Sequence, residues 1–356
     1  MKHSVEKKSQ RTGKYSIVIL NGRIMDPYTR LDTYANIGIK EGKISSITPA
    51  DTKLEGDKVI DANGLVVAPG FINIHGHGSG IGVGGQFHVL DGVTTEITGN
   101  CGRSGSWDES SAMSGEQAYP LKSYFSVLER QGLLINLASY SGHITLREAV
   151  GLTDVFLSPT KEQIEQMVKL VRSEMENGAL GITFGPFYGP GSTFEEMVTL
   201  AKEVARLGGC VASHVRSAFP PKDVEAIIEA IDIARQSDVP FIISHMGGPT
   251  LGPNSTGIAL ELIMKAEQEG LKIATDCHPY DSSCTALGAA VFETPPEQFL
   301  GLLNREISDL EVGSTVVIDG KLVMKAGEAF TSIDQFTEVR AAIKSGKILD
   351  PFVIGQ

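Results

Sequence analysis

Cys210-Val211-Ala212-Ser213-His214 is a short run of small and apolar residues that ends on a polar pair, and Pro240-Phe241-Ile242-Ile243-Ser244-His245 repeats the arrangement. Between the two, Val224, Ile227, Ile228 and Ile231 recur at helical spacing. Strand, helix, strand in that order is the unit of a parallel sheet, because a parallel neighbour is reached through a crossover. The same texture extends outward in both directions. Strands are expected at Val66–Ile74, Val93–Thr98, Leu133–Ser139, Ala179–Phe184, Cys210–His214, Pro240–His245 and Leu271–Asp276. A further helix carries Ile164, Met167, Val168, Val171 and Met175 on one face, after the cap candidates Ser158 and Thr160. These seven strands predict an α/β fold, a (β/α) TIM-type barrel whose polar strand ends gather at one mouth, with the eighth strand missing.

The flanks divide the chain into three expected segments. Residues 1–15 are charged, lack an apolar period and read as a disordered tail. Residues 16–67 hold short β-prone runs punctuated by Asn21-Gly22, Glu41-Gly42 and Asn63-Gly64, the pattern of a small β domain. Residues 68–356 form the incomplete barrel. Within them Thr315-Val316-Val317-Ile318-Asp319-Gly320 runs straight into Lys321-Leu322-Val323, so Asp319-Gly320 predicts a hairpin turn. Pro351–Gln356 is an apolar end without a partner legible in the sequence.

Composition narrows the function. With 356 residues, 41% hydrophobic, the chain is long enough for one large domain and a small one. A formal charge of −12 disfavours a nucleic-acid or anionic-membrane face, and no run approaches the roughly 18 apolar residues of a membrane span. The expected partner is a small molecule, and a homo-oligomer is compatible with the sequence. Four cysteines, Cys101, Cys210, Cys277 and Cys284, lack a CxxC pair, and the start lacks a signal-peptide apolar region, so a cytoplasmic protein is expected.

The first expected barrel strand ends in Asn73-Ile74-His75-Gly76-His77-Gly78. Residues two apart on a strand share a face, so both imidazoles could meet one metal, although two histidines beside a glycine turn could equally be surface polar groups. Three more strand ends decide between these. Cys101 follows Gly99-Asn100, His214 closes Val211-Ala212-Ser213, and His245 closes Phe241-Ile242-Ile243-Ser244. A thiolate with neutral imidazoles is a zinc-type ligand set, and a barrel brings such distant residues together. The expected metal residues are His75, His77, Cys101, His214 and His245, and the expected cofactor is Zn2+.

Val67-Ala68-Pro69-Gly70-Phe71-Ile72 before His75-x-His77, Gly92-Val93-Thr94-Thr95 leading to Gly99-Asn100-Cys101-Gly102, Gly178–Ile182, Ser213-His214-Val215-Arg216-Ser217 and Ile243-Ser244-His245 occur in an order that resembles the D-aminoacylase (N-acyl-D-amino-acid deacylase) branch of the amidohydrolase superfamily. The resemblance runs from about residue 16 to about 290. It implies that Cys101, His214 and His245 hold the tighter zinc, with His75, His77 and Cys101 forming a weaker site. It also implies a small β domain built jointly from the N-terminal segment and the C-terminal tail. On the substrate side, Arg216 would fork onto a carboxylate and Tyr280 matches the last tyrosine of a Tyr-Pro-Tyr motif whose first position is here His278, each with a surface or structural role as its alternative, and His143 is either near substrate or a satisfied core histidine. His88 and His3 are assigned to structure and tail. The implied reaction is zinc-dependent hydrolysis of the amide of an N-acyl-D-amino acid. A cyclic amidohydrolase of hydantoinase or dihydroorotase type is the alternative, disfavoured because it would ordinarily need a metal-bridging lysine where Cys101 stands. The aspartate that serves as general base in this superfamily ends the eighth strand, which is not found, and Asp319 is a weak substitute. The chain therefore reads as C-terminally truncated with little activity, and a metal-binding remnant without catalysis is the third reading.

Overall fold

The computed structural model describes residues 15–78, 83–104, 121–216, 222–246, 255–280, 282–303 and 305–355. The tail expected at 1–15 lies outside them except for Tyr15, which is buried and opens a strand rather than closing a tail. The chain divides into two compact units, Met1–Phe71 and Ile72–Gln356.

The first unit is a sheet of β1 (Tyr15–Asp26), β2 (Leu31–Lys40), β3 (Lys43–Pro49), β4 (Gly56–Asp61) and β5 (Val66–Val67), in the order β3-β2-β1-β4 with β5 also on β1. Glu41 and Gly42 take positive φ of 53° and 74°, as a tight turn between β2 and β3 requires. The single strand expected over Val66–Ile74 is two pieces, β5 and β6 (Phe71–Asn73). Pro69, between them, has no N–H for a ladder, and Gly70 adds a flexible joint.

In the second unit, β6 is followed by β7 (Val93–Thr98), β8 (Asn136–Ser139), β9 (Ser141–Gly142), β10 (Gly181–Phe184), β11 (Cys210–Ser213), β12 (Phe241–Ile243) and β13 (Ile273–Thr275). They form two sheets, β6-β7-β8 and β13-β12-β11-β10-β9, the second parallel throughout. Chain order is kept because β8 runs into β9 across Tyr140, whose N–H still bonds Thr98 O at 3.0 Å on the β7 side. The fold is α/β, and its described strands do not close. No backbone pairing joins β6 to β13 among the described residues.

The helices form where the apolar period predicts. Lys161–Glu176 is capped by Thr160, whose hydroxyl accepts from Gln163 N–H while the Gln163 side chain accepts from Thr160 N–H, and it buries Met167 and Val171. Lys222–Ser237 buries Ala226, Ile227, Ala230, Ile231, Ile233 and Ala234, but Ile228 is 43% exposed and points off that stripe. Helix Phe194–Arg206 places Glu203, 10% exposed, between Arg172 and Arg206 at 2.6 and 2.7 Å. The Arg206 hydrogen bond, opposed by burial and joined by Arg172, lowers the Glu203 carboxyl to about 2. A carboxyl lowered on folding stabilises above its unfolded pKa and loses that contribution as pH falls toward the folded value. Because both guanidinia are about half exposed, the contribution is roughly 1–2 kcal/mol. Glu203→Gln should lose that amount at pH 7 and flatten the stability decline between about pH 4.5 and 2, read by urea titration across pH. An unchanged acid limb would contradict it.

The chain beyond β13 builds a satellite core that the sequence reading missed. β14 (Ser283–Ala286), β18 (Phe352–Gly355) and β15 (Leu310–Val312) pair in the order β14-β18-β15, both contacts antiparallel. The apolar end expected to lack a partner is thus the central strand of this sheet. Its sheet partners, β14 and β15, both lie in the second unit. Phe292, Phe299, Phe330, Phe336 and Val353 are buried beneath it. The expected hairpin forms from β16 (Val316–Ile318) and β17 (Lys321–Met324), with Asp319 and Gly320 at φ 49° and 76°. No helix of the described residues is long and apolar enough to cross a membrane.

Candidate metal centre

The Cys101 loop is built residue by residue. Gly99 has φ 79°, and a Cβ there would stand 2.4 Å from Tyr140 O, so no other residue fits. The Asn100 side-chain amide donates to Gly76 O at 3.1 Å and Ile97 O at 3.0 Å, tying this loop to the one that carries His75 and His77. Gly76 is required in turn, since a Cβ there would meet Glu96 Oε1 at 2.0 Å. From β10, the Thr183 hydroxyl donates to Gly99 O at 2.5 Å and accepts from Gly102 N–H at 3.1 Å. Cys101 is thereby held at φ 56°, a left-handed conformation that only tertiary contacts sustain in a non-glycine residue.

Its sulfur lies at the centre of the expected histidines. Cys101 Sγ is 3.5 Å from His75 Nε2, 3.9 Å from His77 Nε2, 3.6 Å from His214 Nδ1 and 3.6 Å from His245 Nε2. A sulfur and a nitrogen bound at about 2.3 and 2.0–2.1 Å to one tetrahedral ion stand about 3.6 Å apart. The residues therefore fit a zinc-type ion in both donor chemistry and spacing. The ligand atoms of His75, Cys101 and His245 lie within 4.8 Å of one another, a trio that draws on both expected sites. Burial alone would raise the Cys101 thiol, but hydrogen bonds from the surrounding imidazoles hold it well below its usual range. Burial and the adjacent His245 lower His214 to about 4, leaving a neutral imidazole.

A residue passed over in the sequence completes the cluster. Asp276, just past β13, places Oδ2 3.2 Å from His75 Nδ1 and accepts the His245 backbone N–H on Oδ1 at 2.6 Å. Burial would lower His75, yet Asp276 and Cys101 together push it up to about 10. The signal was available, because Asp276 ends an expected strand, as the histidines do.

The expected substrate residues separate. Tyr280 lines a cavity of about 980 Å³ that also contains His75, Cys101, His214 and His245. Arg216 is paired within the protein: Nε donates to Glu229 at 2.9 Å and the remaining nitrogens reach Glu229, Pro190 O and Ser192 O, the structural alternative to a fork onto substrate. His143 is fully buried with Nε2 2.8 Å from Glu196 Oε1, the core placement of the two expected. Asp319 is exposed at its hairpin and paired with Lys347 Nζ at 2.8 Å, so it does not serve the centre as a base.

Residues 58–233 match the model of the amidohydrolase family. Over that segment the chain is similar to the amidohydrolase family. It is similar to D-aminoacylase of Alcaligenes xylosoxydans xylosoxydans, 30% identical over 294 residues that cover 77% of this chain and 59% of the relative. N-acyl-D-glutamate deacylase of the same organism is 30% identical over 296 residues, with the same coverage of 77% and 59%. The chain thus spans about three fifths of these curated relatives. Among solved structures, N-acyl-D-glutamate deacylase from Bordetella bronchiseptica, complexed with zinc and a phosphonate mimic of the tetrahedral intermediate, has a TM-score of 0.79 at 24% identity and covers 96% of this chain and 71% of that one. The chain accordingly shares its fold with that deacylase.

Proposed function

We propose that the protein is a zinc-dependent hydrolase of the amide bond in N-acyl-D-amino acids. One observation carries this reading: a thiolate encircled by imidazoles at 3.5–3.9 Å in one cavity. The ligands would be Cys101 with His214 and His245 at the tighter position and with His75 and His77 at the weaker. Zinc held there would polarise the acyl carbonyl and lower the pKa of a water toward neutrality. Similarity to the zinc-bound deacylase also supports reading the strand succession β6 to β13 as most of a barrel. A hydantoinase-type site is disfavoured because no lysine lines the cavity among the described residues.

The chain's own groups define what the cavity accepts. Phe87, Phe187, Tyr188, Val291, Phe292 and Phe299 supply apolar walls, and Asp91 and Asp276 supply the negative charge. No lysine or arginine lines it among the described residues, and segments 79–82, 105–120, 217–221 and 247–254 contain none in sequence. A second carboxylate, on the substrate side chain, would add to the charge of Asp91 and Asp276 with no basic residue among the described lining, which disfavours acidic side chains. Burial opposes the shift, but the bonds to His75 and the His245 N–H hold the Asp276 carboxyl below its usual range and make it a poor proton acceptor, so turnover should lack most of the roughly 10²–10⁴-fold that general-base assistance provides. Incubating the zinc-loaded chain with N-acetyl derivatives of D- and L-leucine, D-phenylalanine and D-glutamate tests this. Slow release of D-leucine and D-phenylalanine, exceeding both L-leucine and D-glutamate, is expected. Preference for D-glutamate would overturn the side-chain reading, and absence of both turnover and binding would favour a metal-binding remnant.

A further inference from the structure

Asp276 reaches from the end of β13 to two candidate ligands on different strands. His75 follows β6, at the opposite edge of the strand succession, and His245 follows β12. The carboxylate is 8% exposed, and both of its oxygens are engaged, Oδ2 with His75 Nδ1 and Oδ1 with His245 N–H.

Each bond does a separate task. An imidazole has one nitrogen for a proton and one for a lone pair, and a carboxylate at Nδ1 requires the proton there. His75 Nε2, the nitrogen facing Cys101 Sγ, is then the one that gives up its proton to offer a metal the lone pair. His245 has φ 43°, a conformation unfavourable for a residue with a Cβ. The 2.6 Å bond from its N–H to Asp276 holds that turn, and with it the aim of His245 Nε2 at Cys101. We infer that Asp276 is a positioning residue, one carboxylate that sets the tautomer of His75 and the backbone turn of His245, and so preorganises the metal ligands across the unpaired edge between β6 and β13.

The inference rests on the zinc reading above, and the experiment separates the two. Asp276→Asn keeps the size of the side chain and an oxygen for the His245 N–H, but turns an N–H2 toward His75 Nδ1 and favours the wrong tautomer. Zinc retention after dialysis against graded chelator should fall about 10–100-fold in this variant, the usual cost of losing the partner of a ligating histidine. Circular dichroism should remain that of the parent, and the visible spectrum of the cobalt-loaded variant should change with the loss of an imidazole. In a His75→Ala background the same substitution should cost distinctly less, because one of its two routes to the metal is already gone. A parent that retains no zinc would overturn the metal reading itself. A parent that binds zinc, with Asp276→Asn binding it equally or losing as much in the His75→Ala background as alone, would overturn the positioning role.

Discussion

The Cys101→Ala variant is expected to leave dialysis with far less zinc than His75→Ala. Cys101 Sγ is within 3.5–3.9 Å of all four candidate imidazoles, so removing it takes a ligand from either grouping that the histidines could form. It also removes the anionic donor, and imidazoles alone lack the soft thiolate that suits zinc. Removing His75 leaves Cys101, His214 and His245 in place, with both remaining sulfur-to-nitrogen spacings at 3.6 Å. The loss for Cys101→Ala should exceed the roughly 10–100-fold typical of removing a ligand's supporting partner. Metal content by mass spectrometry decides the order, and equal retention in the two variants would contradict a shared thiolate.

The second large effect lies in the core. Glu196→Ala should destabilise the protein by about 3–5 kcal/mol, the range for breaking a buried ion pair from one side. Glu196 is fully buried on helix Phe194–Arg206, where its carboxylate bonds Arg147 Nη1 at 2.7 and 2.8 Å and His143 Nε2 at 2.8 Å. It also accepts the Thr193 N–H at 3.0 Å, completing the capping box of its own helix. Its removal leaves the Arg147 guanidinium, 1% exposed, without a counter-charge. Zinc retention should be unaffected under native conditions, since none of these groups lines the cavity. A destabilisation below about 1 kcal/mol accompanied by lost substrate binding would return His143 to the active site, against its placement in the core.

Strand ends and helix faces were legible in the chain because they follow from local periodicity. Val93–Thr98 forms with the expected bounds, and Thr160 caps the helix whose stripe announced it. His75, His77, Cys101, His214 and His245 could be gathered from sequence because parallel strands place their C-terminal ends on one side. Asp276 meets the same criterion, since it ends the expected strand Leu271–Asp276 as the histidines end theirs. The three-stranded sheet of the satellite core is not legible in the chain, because its strands are only three or four residues long, too short for a periodic signal.

The roles of Arg216 and His143 show the opposite limit. An arginine two residues past a ligand and a histidine after a glycine look alike whether they face substrate or core. What separates them is the partner, Glu229 for one and Glu196 for the other, each supplied by a helix elsewhere in the chain. Sequence by itself determined which residues are chemically able to bind metal and which strand ends carry them, because ligand type and periodicity are local properties. Tertiary structure alone decided which charged groups are already satisfied, that the apolar C-terminal segment becomes a central strand, and that one carboxylate spans β6, β12 and β13. Those outcomes depend on distances between segments remote in the chain, which no local pattern encodes.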